Sequence, residues 1–319
     1  MTVTAVSARL STTSEGLWLT AALAGVSQLP PVLKVRPVGA VAATVADHPG
    51  MAVLEQAGLC SGGTLDADVA DWILTLGRPD IEVDVVVTRP QADPATPAGP
   101  VTPFQPPPEA IEAAEALARW NATRAPQRAL ALCRRANSWI AAARLWHTGA
   151  DGLDEVVVSA LGPVSPPEVV CAVLGTMAPA QFHGINVEAA VIEPVINDWL
   201  AGRGSDIVAM LAAIGLSVPQ ALLVEAIGDA TTTRAVLTAA QFSLDGPQWA
   251  ALGISVADTR LGRVVITNAL GPDGRQWTTM LPGSDAAVAA AVTELLDSLP
   301  TTTGWMTHQR CTSVGAPPM

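Results

Sequence analysis

The sequence contains few aromatic residues and a single lysine. Aromatic side chains make up 4% of its 319 residues, and tyrosine is absent. Lys34 is the only lysine, so nearly all positive charge is carried by arginine. Alanine, valine, leucine and isoleucine must therefore fill most of any core. Hydrophobic residues make up 50% of the chain, which is enough to bury a core in one large domain or two.

Basic patches and long apolar runs are also missing. The net charge of −12 would repel a phosphate backbone, and no basic stripe carries interleaved aromatic residues, so nucleic acid is not an expected partner. The most apolar stretch, 207–227, is interrupted by Gly215, Pro219 and Glu225 and falls short of the roughly 20 apolar residues of a membrane span. Because residues 1–13 have no apolar signal-peptide core, we expect a cytoplasmic protein without membrane insertion.

The cysteine spacing shows neither a disulfide framework nor a zinc framework. Cys60, Cys133, Cys171 and Cys311 are far apart in the sequence, and no CxxC pair occurs. We therefore expect four free thiols in a reducing compartment.

Motifs for catalysis and for cofactor binding are missing. The sequence has no GxxxxGK[ST], HExxH or GxSxG motif, and Gly202-Arg203-Gly204 lies between two predicted helices rather than after a strand. The histidines show no metal-ligand spacing; they are His48, His147, His183 and His308. The sequence therefore predicts neither a metal site nor a cofactor, although a distant histidine could still meet Cys133 or Cys171 in a catalytic triad.

The order of predicted elements divides the chain into two halves, 1–165 and 166–319. In the first half, helices are predicted at 14–26, 48–56, 66–76 and 109–120, and strands at 2–10, 32–36, 81–88, 127–134, 138–146 and 154–160. Residues 90–108 hold eight prolines and are predicted to form an irregular loop, because proline lacks the N–H that a strand ladder needs.

The second half repeats this arrangement. Helices predicted at 167–177, 187–201, 205–215 and 218–228 form a helical bundle over 167–228; strands follow at 232–242, 249–256, 263–269 and 276–281, and a last helix spans 284–299. Each half thus has helices, a run of strands that can pair antiparallel, and helices again. The sequence therefore predicts an α+β fold in which two related halves share one sheet and form one domain.

The helices predicted at 205–215 and 218–228 are apolar almost all round. A surface helix needs only one apolar stripe. Either both helices are enclosed within the protein, or part of their surface awaits a partner.

Short motifs follow one another in a fixed order along most of the chain. They are Glu15-Gly16-Leu17-Trp18, Leu33-Lys34-Val35-Arg36-Pro37, His48-Pro49-Gly50-Met51, Leu76-Gly77-Arg78-Pro79-Asp80, Leu261-Gly262-Arg263 and Leu296-Asp297-Ser298-Leu299-Pro300, with Trp305 and His308 after the last. In order and spacing these motifs resemble the EspG family, which serves the ESX (type VII) secretion systems of mycobacteria. The region 90–120 and the tail after His308 look enlarged relative to many members.

The resemblance implies a cytosolic chaperone that is not an enzyme. EspG proteins bind PE–PPE heterodimers before export, hold the hydrophobic tip of the PPE helical bundle and direct the pair to its cognate ESX system. The family fold is α+β, with a central, mainly antiparallel sheet flanked by helices and two pseudo-twofold-related halves. Family members also contact the partner through a loop of the first half's sheet, which we assign here to 90–107.

The resemblance and the excess of apolar helix surface together predict a partner groove. Its predicted lining residues are Phe104, Met210, Leu211, Ile214, Leu222 and Leu223. Arg203, Gln220 and Glu225 are predicted as its polar rim. Two alternatives stay open, a structural subunit of a larger assembly and an enzyme of unrecognised chemistry. The oligomeric state is open as well, a weak homo-oligomer included.

Overall fold

A computed structural model describes residues 9–35, 45–88, 109, 112, 127–145, 155–204, 206–301 and 304–310. Its helices are α1 (Ser14–Leu23), α2 (Gly50–Gln56), α3 (Ala67–Gly77), α4 (Pro166–Leu174), α5 (Ala189–Leu200), α6 (Ile207–Ala213), α7 (Val218–Gly228) and α8 (Asp285–Asp297). Short 3₁₀ turns lie at Pro31–Leu33 and Val45–Asp47. Within these ranges, every helix is too short or too polar to traverse a lipid bilayer.

The strands form one large antiparallel sheet and one small hairpin. They are β1 (Arg9–Thr12), β2 (Cys60–Ser61), β3 (Thr64–Leu65), β4 (Ile81–Thr88), β5 (Gln127–Arg135), β6 (Ser138–Leu145), β7 (Glu155–Gly162), β8 (Ile185–Glu188), β9 (Thr233–Ser243), β10 (Gly246–Trp249), β11 (Gly253–Thr259), β12 (Gly262–Leu270) and β13 (Gln276–Pro282). In the described part of the chain, the large sheet has eleven strands in the order β1-β7-β6-β5-β4-β9-β11-β12-β13-β8, with β10 paired to β9. Strands β2 and β3 pair separately.

The sheet has a pseudo-twofold axis at its centre. Strands β4 and β9 pair antiparallel there, and Val85 lies opposite Leu237. Outward from β4 the order is β5, β6, β7 and β1, and outward from β9 it is β11, β12, β13 and β8. The predicted α+β fold with two related halves is therefore confirmed. The boundary after residue 165 stays a prediction, and the repeated order favours a boundary after α4, the counterpart of α8.

The two faces of the sheet are covered differently. On one face, α4 and α8 lie side by side across the centre and pack on the apolar residues of β4 and β9, such as Val83, Val85 and Leu237. On the opposite face, α1–α3 cover the first half and α5–α7 cover the second half, each over its own core. This second face is where the candidate site lies.

Side-chain oxygens cap the starts of several helices. The Asp66 carboxylate accepts hydrogen bonds from two amides at the start of α3, and the Ser284 hydroxyl accepts one at the start of α8. At α1 the cap is Thr13, whose hydroxyl accepts the amide of Gly16 at 3.1 Å, and Ser14 is the first helical residue.

Several predicted elements differ from the observed ones. The strand expected at 32–36 is a 3₁₀ turn, because Pro30 and Pro31 lack the N–H groups of a ladder. The strand expected at 249–256 is two strands, β10 and β11, on either side of a break. Strand β8 precedes the helix expected at 187–201. The loop predicted at 90–108, most of the helix at 109–120 and the start of the strand at 2–10 lie outside the described residues.

Candidate functional site

Two of the predicted partner-binding residues belong to the protein's own core. Leu211 on α6 is 0% exposed and Leu223 on α7 is 2% exposed, and both pack among the helices of the second half and the sheet. Their partner contact stays a prediction, and this burial makes it a demanding one. A contact by either side chain would require its helix to move.

The other predicted residues keep surface of their own. Leu222 is 39% exposed on α7, while Met210 and Ile214 on α6 are half-buried. Met210 packs so closely on Gly204 that a Cβ there would lie 2.3 Å from the Met210 sulfur. Partner contact by these three residues stays a prediction. Phe104 lies outside the described residues.

The predicted polar rim is held by contacts within the chain. Arg203 pairs with Asp198 at 2.6 Å, and Glu225 pairs with Arg260 of the β11–β12 turn at 3.4 Å. The Gln220 side chain completes the capping box that begins α7. The Glu225–Arg260 pair ties α7 to the β11–β12 turn, and Leu222 on the same helix is exposed.

An apolar strip that the sequence did not reveal lies on the sheet itself. Val236 is 49% exposed, although β9 is a central strand. Its cross-strand neighbour Val86 is half-buried. The reason is the gap between the two helical layers, since neither α1–α3 nor α5–α7 covers the centre of this face. Uncovered apolar surface at such a position is typical of an interaction site.

The strip continues along β9 to the β10 hairpin. Thr238 is half-buried, and Trp249 is 53% exposed beside Ala240. Val236, Thr238 and Ala240 alternate along β9, so their side chains and that of Trp249 share one face. We call Val236, Thr238 and Trp249 the open groove. Strand alternation in the sequence shows that these residues share a face, but it does not show that the face is uncovered.

Two buried carboxylates line the next strand on the same face. Glu82 lies opposite Ala240 and Asp84 lies opposite Thr238, and the two side chains are 3% and 7% exposed. Burial, with the charge of Asp84 and a hydrogen bond to it, raises the pKa of Glu82 to about 8. Burial raises the pKa of Asp84 to about 7, although the hydrogen bond from Glu82 opposes this shift. The pair therefore holds a proton near neutral pH.

Neither candidate thiol is activated as a nucleophile. Burial and the charges of Glu82 and Asp84 hold the pKa of Cys133 well above its usual range. Burial also raises the pKa of Cys171. The thiolate is the reactive form of cysteine, so both environments suppress reactivity. The rings of His48 and His308 are hydrogen-bonded to backbone groups instead.

Comparison with known proteins identifies relatives along nearly the whole chain. The sequence profile of the EspG family matches residues 13–294. The ESX-5 secretion-associated protein EspG5 of Mycobacterium marinum is 26% identical over 309 residues, covering 93% of this chain and 95% of that protein. The ESX-2 secretion-associated protein EspG2 of Mycobacterium tuberculosis is 26% identical over 322 residues, covering 94% and 99%.

A solved structure shares the fold. It is the Mycobacterium tuberculosis type VII secretion system chaperone EspG5 in complex with the PE25–PPE41 dimer. The two chains superpose with a TM-score of 0.70 at 21% sequence identity, covering 94% of this chain and 100% of the other.

Proposed function

The chain belongs to the EspG family, and from this premise we propose that it is a cytosolic chaperone that binds a PE–PPE heterodimer and directs it to a type VII (ESX) secretion system. It binds the tip of the PPE helical bundle and keeps the pair soluble until export. The role requires recognition of apolar surface and no bond-making chemistry. The suppressed reactivity of the thiols is in keeping with a protein that is not an enzyme.

The observation that carries this proposal is the exposure of Val236. A valine at the centre of a wide sheet is normally buried, and exposing it to water forgoes part of the roughly 1.5–3 kcal/mol that its burial provides. Here it is 49% exposed and lies on the same face as Trp249. A chaperone for apolar helices requires such a surface.

The open groove has the layout of a helix-binding site. Val236 and Trp249 supply apolar anchors on a rigid sheet, and Leu222 on α7 is a further exposed apolar side chain. The exposed Glu225–Arg260 ion pair, between α7 and the β11–β12 turn, is a candidate for the groove's polar rim. Apolar anchors give affinity to such interfaces, and a polar rim gives them specificity.

Co-expression tests the proposal directly. The protein is produced with candidate PE–PPE pairs, and a complex is sought by size-exclusion chromatography. We expect one pair to elute with the protein, and Val236→Glu to abolish that complex with unchanged thermal melting. Val53→Glu is the matched control, because Val53 is 65% exposed on α2, away from the groove. Failure of every pair to bind, or equal loss with both variants, would contradict the proposal.

The alternative of a structural subunit makes a different prediction. Such a subunit would form homo-oligomers that persist on dilution. Light scattering measures the molar mass of the isolated protein over a hundredfold concentration range and distinguishes the two roles. A chaperone without its partner should be a monomer at the lowest concentration.

A further inference from the structure

The acid pair Glu82 and Asp84 has no evident role in apolar binding. The two residues are adjacent on one face of β4, and both are more than nine-tenths buried. Within the described part of the chain, Glu82 Oε1 and Asp84 Oδ1 have no hydrogen-bond partner. Burying polar atoms without partners is costly, so such a pair calls for a functional explanation.

No cation among the described neighbours neutralises the pair. On β5 the nearest group is the thiol of Cys133, with its sulfur 4.0 Å from Glu82 Oε2. On β9 the facing residues, Thr238 and Ala240, are uncharged. Arg234 is on the same face of β9, but its guanidinium is bound to the carbonyls that end α7. A shared proton therefore limits the charge of the pair.

A short turn packs on the same face of the sheet, against β4 and its neighbours. The Pro31–Leu33 turn packs on β4, β5 and β6, and Lys34 follows it with an exposed side chain. Arg144 of β6 lies on the same face and donates hydrogen bonds to the carbonyls of Leu33 and Lys34, the latter at 2.8 Å. We call residues 31–34 the covering turn. Arg144 is thus engaged by the covering turn itself.

We propose that the Glu82–Asp84 pair is a proton-controlled lock on the covering turn, which opens when the pair gives up its proton and thereby widens the open groove toward β4. In its closed position the turn excludes water from the protonated carboxyl groups. The open turn lets water reach both carboxylates, which then ionise. The inference rests on the proposed function only in that the open groove is the surface being regulated.

The direction of the pH effect follows from the two states. In the closed state the pKa values are raised to about 8 and about 7, whereas solvated carboxylates ionise near pH 4. The closed state therefore binds more protons than the open state between these limits. Closure is favoured at low pH, weakens as pH rises from about 4, and stops changing above about pH 8.

Hydrogen exchange of the free protein tests the lock without any partner. The amides of Leu33 and Lys34 are bonded within the turn, at 3.1 Å and 3.0 Å, and report its opening. Their protection factors, corrected for intrinsic exchange, should fall between pH 5 and pH 7 by up to about tenfold per pH unit for each proton released. They should level off above pH 8.

Neutral variants provide the matched comparison. In Glu82→Gln/Asp84→Asn the protection of the same amides should become independent of pH, while Asp71→Asn, at an exposed position on α3, should keep the wild-type slope. A flat wild-type profile overturns the lock, as does an equal slope in the double variant. If the double variant fails to fold, the wild-type profile decides alone. Because no partner is present, loss of PE–PPE binding cannot be confused with either result.

Discussion

The buried guanidinium of Arg263 donates two parallel hydrogen bonds to the carboxylate of Asp258. Nε donates to Oδ1 at 2.6 Å and Nη2 donates to Oδ2 at 2.9 Å. The same guanidinium donates to the carbonyls of Leu174 and Gly175, at 3.2 Å and 2.9 Å. Arg263 therefore ties the end of α4 to β11 and β12 of the second half. The motif Leu261-Gly262-Arg263 has a structural role.

Replacing Arg263 should destabilise the fold strongly. Arg263→Ala removes the partner of a largely buried carboxylate, and we expect a loss of about 3 kcal/mol or more in the free energy of unfolding, measured in urea. Arg263→Lys keeps the charge but loses the two-pronged geometry and should lie between the alanine variant and wild type. Arg275→Ala is the control, since Arg275 is 60% exposed and its ion pairs should contribute about 1 kcal/mol or less. Equal losses at both arginines would contradict this account.

A second arginine holds the end of the chain in an equivalent way. Arg134 of β5 donates to the carbonyls of Met306, at 2.6 Å, and His308. Asp80 accepts the amide of Arg310 at 2.7 Å. The segment after α8 thus crosses to the first half, just as the segment after α4 crosses to the second. The two crossings are related by the pseudo-twofold axis and join the halves.

Truncation tests this second crossing. Ending the chain after residue 303 leaves Arg134, which is 4% exposed, without its two acceptors, and we expect a loss of about 3 kcal/mol in the free energy of unfolding. Ending it after residue 310 preserves every contact given above and serves as the control. Equal stability of the two truncated proteins would show that residues 304–310 do not join the halves.

The sequence was most informative where local chemistry decides the structure. Strand 81–88 was predicted with the observed bounds because its β-branched run favours an extended chain. Helix 218–228 was also predicted with its observed bounds, and in the structure Ser217 and Gln220 form a capping box at its start. Residues 32–36 were predicted as a strand because their side chains alternate. The observed 3₁₀ turn at Pro31–Leu33 is compatible with the same alternation.

The site was harder to predict because coverage is a tertiary property. Helices α6 and α7 are apolar all round, so their sequence does not distinguish the buried Leu211 from the exposed Leu222. Glu82 and Asp84 alternate with valines, a pattern typical of a strand with one face in water. Both are nonetheless buried, and the covering turn that packs on β4 is held on the sheet by a contact distant in sequence.

The acid pair should make global stability depend on pH. The folded protein retains protons on Glu82 and Asp84 up to pH values near 8 and 7, whereas the unfolded chain loses them near pH 4. The pair's contribution to the free energy of unfolding should therefore fall from pH 5 to pH 8. Urea titrations of Glu82→Gln/Asp84→Asn should show a smaller fall than wild type. A parallel pH dependence in the two proteins would mean that other groups are responsible.

Charge substitution on α6 and α7 distinguishes core residues from exposed residues available to a partner. Leu211→Glu places an unpaired charge at a position with no exposure, so we expect a marked drop in melting temperature. Leu222→Glu lies at the surface and should melt like wild type. With a PE–PPE pair that binds, Leu222→Glu should weaken binding about thirtyfold, as loss of an anchor contributing about 2 kcal/mol would. If Leu222→Glu and Met210→Glu both bind the pair as tightly as wild type, α6 and α7 supply no anchor. The partner contacts would then lie on the sheet around Val236.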